Sequence, residues 1–139
     1  MKGTDSFVFD SYALIGYLEN ESFSNHIEEI LNKARAGDFR LYLHVIHLGE
    51  VYYITLRERG RDLADLAFSR IKAFPVKLVQ HIDDKLLLMA ATFKANYPIS
   101  YADSFAAALA KINKCSLLTG DPEFKILEKQ GMITIEWLI

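Results

Sequence analysis

Cysteine is nearly absent: Cys115 is the only one in 139 residues. No internal disulfide can form, and a reducing compartment, the cytoplasm, fits that usage. Proline is also scarce, with only Pro75, Pro98 and Pro122, and no Pro/Gly/Ser-rich linker, repeat or low-complexity tract interrupts the chain. Long apolar runs are missing too. None approaches the ~18 residues of a membrane span, and the apolar stretch after Met1–Asp5 is too short for a secretory core. Charge of one sign is not in excess: the formal net charge is −2. A chain that held nucleic acid by charge alone would be clearly basic, so such contact would need a local basic patch or bound cations.

What is present is the composition of one globular domain over residues 1–139, about half hydrophobic and a quarter charged. Short apolar strands alternate with helical spacing. Strands are predicted at 6–9, 41–43, 76–79, 116–119 and 133–138. Helices are predicted at 11–18, 23–36, 45–59, 62–73, 83–97, 100–112 and 122–129. Gly37 and Gly60 stop the second and third helices, Asp62 or a neighbour caps the fourth, and Pro98 ends the fifth. This alternation implies an α/β fold with a mostly parallel sheet covered on both faces. In such sheets ligands bind beyond the carboxyl ends of the strands.

Three acids stand at those positions or in the helix after them, and a fourth, Asp103, needs its own argument. Asp10 directly follows the first strand, and Asp121 lies two residues beyond Thr119 at the end of the fourth. Glu50 sits in the helix after the second strand, and Asp103 in the first turn of the helix from Ser100. Each has a simpler reading. Asp10 and Asp121 suit N-caps, Asp121 being followed by proline. Ser100 to Asp103 has the form of a capping box, and Glu50 is by default a solvated helix residue. Two features weigh for chemistry. Glu50 shares its helix face with Ile46, His47, Tyr53 and Ile54, where an unmatched carboxylate is costly. Asp103 is followed on its face by Ala106, Ala107 and Ala110, small enough to let the helix lie close to the sheet. Two like charges ~4 Å apart repel by about 1 kcal/mol in water and about 4 at an effective dielectric near 20. No Lys or Arg directly flanks any of these acids, so convergence demands raised pKa values or cations. Oxygen-only ligation suits Mg²⁺ or Mn²⁺, which activate water and stabilise charge on a phosphodiester.

Ile99–Ala110, containing Asp103, and Leu117–Phe124, containing Asp121, strongly resemble the C-terminal half of PIN-domain proteins. Phe7–Ser11 and Val45–Val51 resemble that family's first strand and second acidic position, so the likeness covers nearly the whole chain in order. The resemblance implies a Rossmann-like three-layer α/β/α sandwich. It implies catalytic metal binding by Asp10, Glu50, Asp103 and Asp121, and Mg²⁺- or Mn²⁺-dependent endoribonuclease activity. The compact length resembles VapC-type toxins, which are held by a small antitoxin and often form homodimers. Many of these carry Asn near the Asp121 position with an acid shortly after; here Asp121 and Glu123 are both acidic, leaving open which contacts metal. Ser11 and Thr119 match supporting hydroxyl positions.

Other features are read plainly. His44, His47 and Glu50, spaced by threes, drift around a helix and lack the HExxH pattern, so the histidines are packing or surface groups rather than a zinc site. Cys115 is a buried structural thiol. Arg57, Arg59, Arg61, Lys111, Lys114, Lys125 and Lys129 are mainly solvated helix ends, some of them available to RNA phosphates. Tyr52, Tyr53, Phe68, Phe74 and Trp137 are mostly core candidates, with the Tyr52/Tyr53 region a dimer or antitoxin contact if exposed. Two readings rival the toxin: a PIN-domain RNA-processing nuclease outside toxin–antitoxin systems, which the lack of a small charged partner encoded just upstream would favour, and a non-enzymatic α/β binding module. A receiver-like module would pair acids after the first strand, where Asp10 stands alone. A haloacid-dehalogenase-type phosphatase would need an Asp at Tyr12.

Overall fold

The computed structural model describes residues 5–139; Met1 to Thr4, on which part of the leader reading rests, lie outside the described residues. Five strands form one sheet in the order β3-β2-β1-β4-β5. They are β1 (Asp5–Phe9), β2 (Phe39–His44), β3 (Lys77–Val79), β4 (Ser116–Thr119) and β5 (Thr134–Trp137). Every pairing is parallel, so "mostly parallel" sharpens to fully parallel. The helices are α1 (Ser11–Leu18), α2 (Ser24–Arg35), α3 (Val45–Arg59), α4 (Arg61–Lys72), α5 (Asp84–Asn96), α6 (Tyr101–Ile112) and α7 (Lys125–Lys129). The helix expected at 122–129 begins as a 3₁₀ turn over Pro122–Phe124 before α7. No helix among the described residues is long and apolar enough to cross a membrane.

A parallel sheet is covered on both faces because the crossovers put helices there. Neighbouring strand residues accordingly serve opposite cores. Val8 and Leu117 pack with α5, α6 and α7 through Leu86, Phe93, Phe105 and Leu127. Phe9 and Leu118 pack with α1 to α4 through Leu14, Ile27, Leu48 and Ile71. Helix α6 is buried from Asp103 to Ala110, and Ala106, Ala107, Ala108 and Ala110 are wholly inaccessible. Alanine at these positions lets the helix lie between sheet and α5 without a void.

Helix ends follow local chemistry. After α2, Gly37 takes a φ of 86°, its N–H bonds Ala34 O, and the Asp38 N–H returns to Lys33 O at 2.8 Å, the Schellman closure that glycine permits. Gly60 (φ 90°) both ends α3 and begins α4. The cap expected from Asp62 is not made: Gly60 is the N-cap, no side chain bonds the first turn, and Asp62 lies within that turn. The tight α3–α4 corner needs a positive φ, and that need outweighs a capping side chain.

Two aromatics expected in the core are on the surface. Tyr53 is 50% and Phe68 41% exposed, because α3 and α4 pack against each other and leave those faces outward. Both rings carry cations, Arg57 over Tyr53 and Lys72 over Phe68. Tyr52 bonds Asp65 across the corner, and Trp137 donates to the Glu128 carboxylate. Cys115 is buried.

Candidate metal centre at the strand carboxyl ends

From β1 the chain moves outward to β2 and β3, then returns past β1 to β4 and β5. The reversal opens a crevice at the carboxyl ends of β1 and β4, where open α/β sheets bind ligands. The acids converge there. A cleft of about 510 Å³ is lined by Ser11, Tyr12, Glu50, Ser100, Asp103, Asp121 and Glu123, with Ile15, Phe23 and Ile54 as apolar wall.

Asp10 lies beneath this cleft, 2% exposed. Its Oδ1 accepts the Ala13 N–H at 2.9 Å, capping α1, and its Oδ2 accepts the Thr119 hydroxyl. The same Thr119 oxygen accepts the Asp121 N–H at 3.0 Å. One buried hydroxyl thus ties the ends of β1 and β4 and fixes two acids at once. Asp121 Oδ1 accepts the Glu123 N–H at 3.0 Å, and Ser100 Oγ accepts the Asp103 N–H at 3.1 Å. The capping readings of Asp10, Asp121 and Ser100 are therefore correct, and they coexist with convergence: capping positions the acids.

Oxygens of Asp103, Asp121 and Glu123 lie within 4.8 Å of one another. Both acids of the open pair at 121 and 123 thus face Asp103. Glu50 approaches from α3, and its Oε1 is buried with no hydrogen-bond partner among the described residues. A carboxylate oxygen stranded this way costs free energy unless a cation meets it. Among the described residues, no Lys or Arg lines the cleft.

The electrostatics agree. Burial pushes the Asp103 carboxyl up to about 7, and the charges of Asp121, Glu50 and Glu123 push the same way. Burial also raises Asp10 to about 7 against the lowering pull of Thr119 and Ala13, with Asp103 and Asp121 adding repulsion. The donor set is hard oxygen throughout and fits Mg²⁺ or Mn²⁺.

The histidines are packing groups. His44 Nδ1 caps α3 by accepting the Ile46 N–H at 3.1 Å, and its Nε2–H donates to His81 O. His47 Nε2–H donates to Ala102 O at 2.8 Å, joining α3 to the first turn of α6. That bond links the helices of Glu50 and Asp103, and periodicity alone does not reveal it. Burial pushes His47 down to about 4, so it is neutral at physiological pH. The basic residues named from the sequence are engaged with other groups: Arg59 pairs with Glu19 of the cleft wall at 3.4 Å, Arg61 with Asp65 at 3.7 Å, and Lys111 donates to Met132 O.

Comparison with solved structures finds the same architecture in distant sequences. VapBC2 of Rickettsia felis, bound to a promoter DNA fragment, matches with a TM-score of 0.75 at 12% identity, covering 96% of this chain and 99% of that one. DNA-bound VapBC of Salmonella typhimurium matches with 0.75 at 17%, covering 96% and 98%. VapC20 of Mycobacterium tuberculosis, a sarcin–ricin loop cleaving toxin, matches with 0.66 at 16%, covering 88% and 94%. No curated protein matches by sequence. The PIN domain model matches residues 7–130. That span holds every acid of the cleft and the switch in strand order that creates it, and the chain belongs to the PIN domain family.

Proposed function

We propose that this chain is a divalent-metal-dependent endoribonuclease and the toxin of a VapBC-type toxin–antitoxin pair. The observation that carries the nuclease reading is the stranded Glu50 Oε1 in an acid-lined cleft with no Lys or Arg in its lining among the described residues. Glu50, Asp103, Asp121 and Glu123 would hold Mg²⁺ or Mn²⁺, with Asp10 completing the set from below. When bound, such an ion lowers the pKa of water and stabilises charge on a phosphodiester. The chain's own groups do the positioning. Thr119 holds Asp10 and Asp121 in register. Ser100 holds the Asp103 backbone, and His47 holds the turn before it. Ser11, at the cleft wall, is available to a phosphate oxygen.

The toxin reading rests on the solved relatives, several of them complexes of toxin and antitoxin. It also rests on a second groove between α1, α3 and α4, lined by Ile15, Leu18, Leu63 and Leu66 with Arg59 and Arg70 at its rim. An apolar groove edged by arginine suits a small partner that presents an apolar helix and acids. A homodimer and a cytoplasmic location belong to the same reading.

The test is RNA cleavage with Mg²⁺ or Mn²⁺, with chelator, and by Asp103→Ala. Metal-dependent cutting that falls at least about a hundredfold in the variant is expected, the scale of losing preorganised charge stabilisation. Cutting indifferent to both chelator and substitution overturns the assignment.

A further inference from the structure

Tyr12 is the largest apolar surface left open in the acid cleft. It is the second residue of α1 and 42% exposed, whereas Phe23 beside it is buried and Ile15 and Ile54 are half-buried. Its hydroxyl makes no hydrogen bond among the described residues. The ring is nonetheless held. One side stacks on Phe23, with centroids 5.9 Å apart and planes at 24°. Its edge fills the place where residue 120 would carry a side chain: a Cβ on Gly120 would lie 2.5 Å from Tyr12 Cε1. Gly120 has no left-handed φ, so glycine is needed there for space rather than conformation. It stands between Thr119, bonded to Asp10, and Asp121, bonded to Thr119. The ring is thereby fixed to the same strand end as the acids.

The titratable groups of the cleft lining are Glu19, Glu21, Glu50, Asp103, Asp121 and Glu123, and Arg59 is paired to Glu19 at 3.4 Å. Among the described residues, the lining offers a sugar-phosphate chain no unpaired cation. Affinity beyond the bound metal has to come from apolar contact, and a fixed ring beside the metal centre offers the flat face of a nucleobase a stacking partner. A base in a helix is already stacked on its neighbours, so only an unpaired one can take this place.

We propose that Tyr12 is a substrate-binding platform on which an unpaired nucleobase next to the cut phosphate stacks. This rests on the RNA-cutting reading above. The experiment compares wild type, Tyr12→Ala, Tyr12→Leu and Tyr12→Trp on a single-stranded oligoribonucleotide and on copies abasic at each position around the cut. Leucine keeps apolar cover over Phe23 and Gly120 without a ring. The expected result is a KM raised about five- to a hundredfold in the Ala and Leu variants, with kcat changing less and Trp restoring binding. An abasic site at the stacking position should raise the wild-type KM equally and leave nothing further for the variants to lose. Unchanged KM in the variants, or equal losses on intact and abasic RNA at every position, overturns the platform while wild-type cleavage stands. Absence of wild-type cleavage instead removes the nuclease reading beneath it.

Discussion

Asp103 and Asp10 set the pH behaviour of the metal-free protein. Both carboxyls have folded pKa values near 7 against 3.8 for the free group. The folded state therefore binds protons more tightly. Their contribution to stability is complete below about pH 4 and is lost as pH rises through about 7. His47 acts oppositely: with a folded value near 4 against 6.5, its contribution is complete above about 6.5 and lost as pH falls through about 4. Asp103→Asn removes one group of the first kind without changing its shape. In chelator at pH 8 the variant should melt a few degrees above wild type, and the margin should shrink toward pH 5. Mg²⁺ at pH 8 should raise the wild-type Tm and leave the variant's almost unmoved. A variant less stable than wild type at pH 8 would show that Asp103 is not strained by burial and repulsion. Thermal melts by circular dichroism over that pH range decide it.

At the scale of elements, the α1–α2 corner sets the wall of the cleft. Gly16 of α1 meets the Phe23 ring so closely that a Cβ there would lie 2.1 Å from Phe23 Cζ. Gly16→Ala must push Phe23, and Tyr12 stacked on it, out of place. Overpacking of this kind costs about 1–3 kcal/mol, and urea unfolding should show it; a loss below ~0.5 kcal/mol would mean the corner yields freely. This contact also marks where sequence reading stops. Strands such as Ser116–Thr119 and the alanine face of α6 are legible because burial imposes a period on neighbouring residues. Asp10, Glu50 and Asp121 are legible because strand ends are where such folds bind ligands; Asp103, in a helix that follows another helix, is legible only from the alanine face behind it. Tyr12 against Gly120, Gly16 against Phe23 and His47 against Ala102 are not legible, because partners on different elements leave no local pattern. Tyr53 and Phe68 misled for a related reason: an aromatic ring is apolar whichever face of the helix carries it, and only the α3–α4 packing shows that these faces turn outward.

Over the whole molecule, the two concave surfaces divide the work. The acid cleft lies at the switch in strand order, and the apolar groove lies beside it across α1, with Ile15 and Glu19 belonging to both. A partner seated in the groove would thus border the cleft. Leu66 is 53% exposed in that groove, so Leu66→Asp should change stability by no more than about 0.5 kcal/mol. RNA cleavage should persist in the variant. Neutralisation by the proposed antitoxin should weaken at least about tenfold, as read by inhibition of cleavage. Full inhibition of the variant would place the partner elsewhere.

The proposed nuclease centre depends on divalent metal being shared by acids drawn from the residue after β1, from α3 and α6, and from the turn after β4. Titration of the purified protein with Mn²⁺, with free Mn²⁺ followed by electron paramagnetic resonance, tests that directly. Wild type should bind Mn²⁺ in competition with Mg²⁺, and Glu50→Gln and Asp103→Asn should each weaken binding about tenfold or more while keeping the native circular dichroism spectrum. Equal Mn²⁺ binding by wild type and both variants would contradict a shared metal centre.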